Sequence, residues 1–394
     1  MPDTIREEIN EYIEFISEAE FSEYCNYFKG IASNYLKNIN NQNSIGITSV
    51  HYPEIFIRSC GGAPIYLTGG FEKIPDETEE IFPQISDTTT KTITNLLLNK
   101  ELQLKDKLRA VLVYNNNDSN RKVKYYLEQE GYRVLFVSEE PFLLEKVPKR
   151  FKQDQRDIIR KLMSILKTVI TKEKLLKSAE TITKSHKLFK DIDNSILETK
   201  LKIFIKETYY LTDDIEEWQN EVEKLINKLP KNTKLNEKIF LTGSDIQFPN
   251  YKITSLLDEN GIYRYKSNCY VPYPYDYSGL NKKLPLPLLL DQIYEIHYKN
   301  QYSNNMISRP NIEINEEIDA VIFHLLKGQL LSAYYAGKLE KNCMKKNISF
   351  LCIETDSTKA DKEQIAIRIE AFSELLGINS FYDKRRERDE SKMA

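Results

Sequence analysis

The sequence predicts an α/β protein built from two small parallel-sheet domains, with an N-terminal helical segment and a helical connector between the domains. Three observations carry that reading. Short apolar runs alternate with single amphipathic segments in two separate stretches, no strand pattern rises in the stretch between them, and apolar residues near the start recur three or four apart. Strands separated by single helices imply βαβ crossovers, which make the strands parallel and bury the sheet on both faces.

The first segment, residues 1–45, places Ile5, Ile9, Tyr12, Ile13, Ile16, Phe21, Tyr24 and Phe28 at amphipathic helix spacing. The first α/β domain, 46–141, holds a strand at Ala63–Leu67, a helix at Thr88–Lys100 and a buried strand at Leu108–Val113. A helix near Asn120–Glu130 and a strand at Arg133–Val137 complete it. Residues 142–236 form the connector. One helical face is marked by Ile158, Ile159, Leu162, Ile165, Leu166, Val169 and Ile170, another by Trp218, Val222, Leu225, Ile226 and Leu229, and Pro230 closes it.

The second α/β domain, 237–380, opens with the strand Lys238–Gly243 and a helix at Pro249–Asp258. After the turn Asn260-Gly261 comes a strand at Ile262–Lys266, then an aromatic loop over 268–277 and a helix at Pro287–Lys299. The strand Asp319–Leu325, the helix Ser332–Lys346, the strand Ile348–Thr355 and the helix Asp361–Leu376 complete it. The tail, 381–394, carries Lys384, Arg385, Arg386 and Arg388 interrupted by Glu387, Asp389 and Glu390, and reads as solvated chain.

With 41% hydrophobic and 29% charged residues the chain has the composition of a folded globular protein. Its 56 basic and 59 acidic residues leave a formal net charge of -3, so no overall field draws it to nucleic acid or anionic lipid. The start, MPDTIREEIN, lacks the apolar core of a signal peptide, and no run approaches the ~18 apolar residues of a membrane span. A cytoplasmic location is the expectation. Five scattered cysteines, Cys25, Cys60, Cys269, Cys343 and Cys352, suit reduced thiols better than a disulfide framework.

There is no G-x-G-x-x-G, P-loop or G-x-S-x-G, and His51, His186, His297 and His324 have no metal-site spacing. The distinctive text is longer: YPEIFIRSCGGAPIYLTGG (52–70), KIFLTGSDIQFPNYKITSLLDENG (238–261), DAVIFHLLKGQ (319–329) and ISFLCIETDSTKADKEQIAIRIEAF (348–372). The last segment is the most specific, with Glu354, Asp356, Gln364, Arg368 and Glu370 at matched spacing.

These segments resemble the 2-hydroxyacyl-CoA dehydratase and benzoyl-CoA reductase subunit family. The resemblance implies two Rossmann- or flavodoxin-like domains flanking a cleft. It also implies an iron-sulfur cluster held by three cysteines on loops after three strands. In the family two homologous subunits pair, and an ATP-hydrolysing activator delivers a low-potential electron for removing water from a 2-hydroxyacyl-CoA or reducing an aromatic acyl-CoA. Matched to the family pattern, PQISDT puts Asp87 at the first cysteine position, YNNNDSNRK puts Asn117 at the second and VIFHLLKGQ puts Gln329 at the third. Clusters need soft, anionic thiolate ligands, so the resemblance implies a degenerate site and a lost cluster.

Cys269, in the loop after Ile262–Lys266, is the thiol expected on the cleft side, and His324 is a second cleft candidate. Each candidate also has a structural reading. Asp87 opens DTTTK and suits a helix N-cap, as Asn117 or Asp118 does for the next helix. His324 sits in an apolar strand, where a hydrogen-bonded core histidine is expected. Residues 270–277 form either an adaptable lip or a packed aromatic loop, and Arg368 with Glu354 and Glu370 forms either an internal ion-pair set or a substrate contact.

The resemblance and the missing cysteines together imply a cluster-free subunit that pairs with a cluster-bearing sibling or with itself, served by the ATP-dependent activator and facing an acyl-CoA. The alternatives are a stand-alone acyl-CoA or small-ligand binding protein without redox activity, and a non-redox enzyme built on Asp87, Cys269 or His324.

Overall fold

The computed structural model describes residues 2–37, 39, 43–73, 78, 82, 87–115, 118–138, 146–230, 237–304 and 318–378. The N-terminal segment forms helices α1 (Asp3–Ser17) and α2 (Asn26–Ser33), and the predicted stripe of Ile5, Ile9, Tyr12 and Ile16 is buried along α1. The first domain then runs β1 (Ser44–Ile47), α3 (Ile55–Ser59), β2 (Ala63–Tyr66) and α4 (Thr88–Leu98). It continues through the single turn α5 (Leu104–Lys107), β3 (Ala110–Asn115), α6 (Asp118–Gln129) and β4 (Val134–Ser138).

The connector consists of α7 (Lys149–Leu166), α8 (Lys172–Asp193), α9 (Thr199–Leu211) and α10 (Ile215–Lys228). Trp218 is fully buried there, edge-on to Tyr209, and its indole N–H donates to Thr208 Oγ1 at 3.0 Å. The second domain runs β5 (Ile239–Gly243), α11 (Lys252–Glu259), β6 (Lys266–Ser267) and α12 (Leu286–Asn304). It ends with β7 (Ala320–Leu326), α13 (Leu330–Lys345), β8 (Ser349–Thr355) and α14 (Lys362–Leu375).

Both sheets have four strands, all parallel, in the same order: β2-β1-β3-β4 and β6-β5-β7-β8. In each, the chain leaves its first strand to one side and then returns to the other. That reversal leaves a crevice at the carboxyl ends of the strands, where α/β proteins gather ligands.

The structure departs from the sequence expectations in three places. A central strand, β1, lies between β2 and β3 where the sequence predicts none. The strand expected over Ile262–Lys266 shrinks to two residues, because its start bonds to the connector instead. Thr199 N–H donates to the Tyr263 carbonyl at 3.0 Å, and the Thr199 hydroxyl both donates to the Tyr265 carbonyl and accepts from the Tyr265 N–H. Finally, α12 falls inside the expected second domain but buries Leu289, Ile293, Tyr294 and Tyr298 in the core shared by α1, the first sheet and the connector. The second sheet has its own two apolar layers, one under α11 and α14, the other under α13. The basic tail and its expected role lie outside the described residues.

Candidate functional site

The carboxyl ends of the two sheets face each other across a narrow cleft. From the first domain it receives Gly69 and Gly70, which come after β2, and Thr88 and Thr89 at the start of α4. From the second come Asp245, Ile246 and Gln247 after β5, His324 and Leu326 of β7, and Asp356 and Ser357 after β8. About 20 Å³ of free space remains between them, on the order of one water molecule.

The walls are fastened across the gap. Gln247 Oε1 accepts from the Gly69 N–H at 2.6 Å, and the Gly70 N–H donates to the Phe248 carbonyl at 3.2 Å. Gly70 has to be glycine at this approach: a Cβ there would stand 1.9 Å from the Gln247 carbonyl oxygen. His51, after β1, meets Asp245 Oδ2 through Nε2 at 2.9 Å.

Two of the three positions equated with cluster cysteines meet beside this cleft. Asp87 caps α4, its Oδ2 accepting from Thr90 N–H at 3.3 Å and from the Thr90 hydroxyl at 2.7 Å. Its other oxygen, Oδ1, accepts from Gln329 Nε2 at 3.4 Å. Gln329 Oε1 in turn accepts from the Ser244 hydroxyl at 2.8 Å and from the Ser332 hydroxyl at 3.0 Å. The third position, Asn117, lies outside the described residues.

The turn after β5 is built for close approach. Gly243 holds φ at +123°, where a Cβ would stand 2.1 Å from the His324 carbonyl oxygen, and Ser244 N–H donates to that same oxygen at 2.7 Å. Ser244 Oγ also accepts from the Leu326 N–H at 3.0 Å. His324 is buried, and its Nδ1 lies 2.8 Å from the Ser244 carbonyl, so Nδ1 carries the proton and donates. Burial pushes the imidazole down to about 4, leaving it neutral.

Lys252 anchors the far wall. Its buried ammonium donates to Thr355 Oγ1 at 2.6 Å, to the carbonyls of Asp356 and Thr358 at 2.8 and 2.5 Å, and to Asp361 Oδ1 at 2.7 Å. Lys327 pairs with Asp356 at 2.9 Å from the surface side. Burial pushes the Asp356 and Asp361 carboxyls up, but their hydrogen bonds and ammonium neighbours outweigh it and hold both below the usual carboxylate value. Lys252 and His51 belong to the cleft although sequence reasoning does not single them out for it. The available signal was the pair of Thr-Gly steps, Thr68-Gly69 and Thr242-Gly243, at the corresponding end of each domain.

Several sequence expectations are corrected by the geometry. Cys269 does not face the cleft; it is completely buried in the core of the second domain. Arg368 forms no ion pair with Glu354 or Glu370, and instead donates from Nη2 to the Cys352 carbonyl at 2.6 Å. Of the two readings of 270–277, the packed aromatic loop is the one found. Tyr275 donates to the His51 carbonyl at 3.0 Å, Tyr210 donates to the Pro272 carbonyl at 2.7 Å, and Tyr270 and Tyr277 are buried.

The residues present do not fit a thiolate-held cluster. The two converging ligand positions offer a carboxylate and an amide already bonded to each other, and among the described residues no cysteine lines the cleft. Burial pushes the Cys25 thiol up to about 12 and those of Cys60 and Cys343 up to about 11, so they stay protonated and inert. Among the described residues no group of three His, Cys, Asp or Glu is placed to hold a metal ion.

Two comparisons with known proteins bear on this cleft. The family model described as HGD-D, 2-hydroxyglutaryl-CoA dehydratase, D-component, matches residues 49–376, from the loop after β1 through the end of α14. No curated protein matches the chain.

Proposed function

The chain belongs to the 2-hydroxyglutaryl-CoA dehydratase D-component family, and from that membership we propose that it is a cluster-free subunit of a 2-hydroxyacyl-CoA dehydratase or benzoyl-CoA reductase-like complex. It completes the shared cleft beside a cluster-bearing sibling that takes the electron from an ATP-dependent activator. The observation that carries the reading is the Asp87–Gln329 hydrogen bond. Where the family places thiolates, this chain joins its two domains with a carboxylate and an amide. The electron is therefore carried elsewhere in the complex, and this subunit supplies fold, cleft wall and contact surface.

A second observation supports pairing. The first turn of α13, directly after Gln329, exposes Leu330, Leu331 and Tyr334 at 86%, 50% and 59%. Three large apolar side chains beside a functional cleft suit a protein interface better than open solvent.

The test is purification without oxygen, alone and with a co-expressed cluster-bearing homologue, then iron and sulfide analysis. The expected result is a colourless chain with less than stoichiometric iron when purified alone, and a stable complex with the homologue. A brown preparation of the isolated chain, with cubane absorption, overturns the cluster-free reading. Full dehydratase or reductase activity of the homologue without this chain favours the stand-alone binding protein.

A further inference from the structure

Helices α13 and α14 cover opposite faces of the second sheet, and each carries apolar residues on its outer side as well as its inner one. The buried stripe is Ser332, Ala336, Leu339 and Cys343 on α13, and Ile365, Ile369 and Phe372 on α14. A surface helix needs that one stripe, and its opposite face is ordinarily polar. The opposite face of α13 runs Leu330, Tyr334, Gly337, Lys341 and Met344, alternating steps of four and three residues that stay on one side of a helix. Leu330, Tyr334 and Met344 are 86%, 59% and 65% exposed. The opposite face of α14 runs Ile367, Ala371 and Leu375, with Ile367 66% and Leu375 71% exposed. A lone exposed leucine is ordinary, but two rows at this spacing are what a contact between helices buries.

The two rows complement each other in shape. Gly337 gives α13 a hollow, since nothing lies within 4 Å of where its Cβ would stand. Glycine inside a helix is destabilising relative to alanine, and nothing within the fold crowds this one, so a close approach from outside is what gives it a use. Laid antiparallel, with their dipoles opposed, the helices set Leu330 beside Leu375, Tyr334 over the small Ala371 and Ile367 over Gly337. Side chain meets hollow twice.

The charges match in the same alignment. On α13, Lys338, Lys341 and Lys345 are exposed beside the single acid Glu340. On α14, Glu363, Glu370 and Glu374 are exposed, while its two bases are engaged elsewhere: Lys362 pairs with Glu259, and Arg368 turns to the Cys352 carbonyl. None of those three lysines or three glutamates forms an ion pair among the described residues. Seating Ile367 over Gly337 brings Lys338 beside Glu370 and Lys345 beside Glu363.

We propose that α13 of one copy of this chain packs antiparallel on α14 of a second copy, apolar row to apolar row and lysines to glutamates. The apolar rows supply the affinity. Exposed lysine–glutamate pairs add little energy, but they fix the partner and the direction. Because the two helices lie on opposite faces of the sheet, the contact is head-to-tail, and each pair keeps one α13 and one α14 free for further copies. Leu330 and Tyr334 also belong to the turn assigned above to the sibling subunit, so a sibling and a second copy compete for it. The self-contact is read on the chain alone and therefore fails or holds separately from the subunit reading.

Sedimentation and light scattering of the full chain, purified alone, test it. The weight-average mass is expected to rise with protein concentration past that of two copies. Lys338→Glu with Lys345→Glu makes both faces acidic, and Glu363→Lys with Glu370→Lys makes both basic. Each double variant should stay monomeric by itself with little change in thermal midpoint, because all four side chains are exposed. An equimolar mixture of the two should associate again, since each face then meets its opposite. Ile367→Ser leaves the charges alone and should weaken self-association at least tenfold, which carries the test if a charge variant lowers the midpoint.

A wild-type chain that stays monomeric at millimolar concentration overturns the proposal, as does a mass that stops at two copies. Self-association of either charge variant, a mixture that stays monomeric, or undiminished association of Ile367→Ser overturns it equally.

Discussion

At the scale of single residues, the chemistry of the cleft rests on groups held in one protonation state. His324 shows the consequence. Its ordinary value of 6.5 falls to about 4 in the folded chain because burial penalises the charged ring. Between those two values the unfolded chain binds the proton and the folded chain does not, so stability rises with pH across that window and falls as the solution is acidified through it. We expect His324→Asn, which keeps a donor for the Ser244 carbonyl, to lose less stability than the wild type between pH 6.5 and about 4. The difference should approach 3 kcal/mol at 1.36 kcal/mol per unit. Urea titrations at a series of pH values measure it, and parallel pH profiles for the two proteins would refute the assignment.

The same scale separates the candidates from one another. In sequence His324 reads both as a core histidine and as a cleft residue, and it is both, since its strand ends at the cleft with the ring still buried. Asp87 is likewise a helix cap with one oxygen and a contact between the two domains with the other. Cys269 lies a few residues past a strand, and its sequence position says nothing about which way the side chain turns.

At the scale of elements, the turn after β8 depends on one ammonium. Lys252 at the start of α11 ties together the end of β8, the loop that comes after it and the residue before α14. Removing a buried charge from such a set leaves its partners unmatched, a loss of about 3 kcal/mol or more. Lys252→Met should therefore destabilise the chain by on the order of 3 kcal/mol in chemical denaturation and loosen the loop over 356–361 in hydrogen exchange. A loss under about 1 kcal/mol would mean that Lys327 and Thr355 already satisfy Asp361 without it. Lys252 has sequence text that looks like any surface lysine in an amphipathic helix, and only the fold places three acceptor-bearing segments around it.

At the scale of the whole molecule, the two sheets close on a cleft with almost no free space while an apolar turn beside it stays exposed. If that turn is the contact with a partner, charging it should break association without touching the fold. Leu330→Asp with Leu331→Asp is expected to weaken binding to a cluster-bearing homologue at least tenfold while the thermal midpoint of the isolated chain moves little, because both side chains are exposed in it. Light scattering and co-purification read the result. A double variant that still forms the complex places the interface elsewhere. No described helix is long and apolar enough to cross a membrane, in keeping with the absence of long apolar runs.

The sequence by itself determined the α/β class, the parallel strands, the helical connector and the resemblance that the family match bears out, because apolar periodicity and strand-helix alternation are local properties written along the chain. It did not reveal β1, since Ser44–Ile47 is four residues with a glycine inside, too short for a period to register. The shortened β6 and the transfer of α12 to the first core also escaped it, because each depends on which distant surface offers the better partner. The Asp87–Gln329 contact spans residues 242 apart in the chain. Family spacing could set the two side by side, but whether carboxylate and amide would meet was decided only when the two sheets closed face to face, since that packing alone fixes the distance between them.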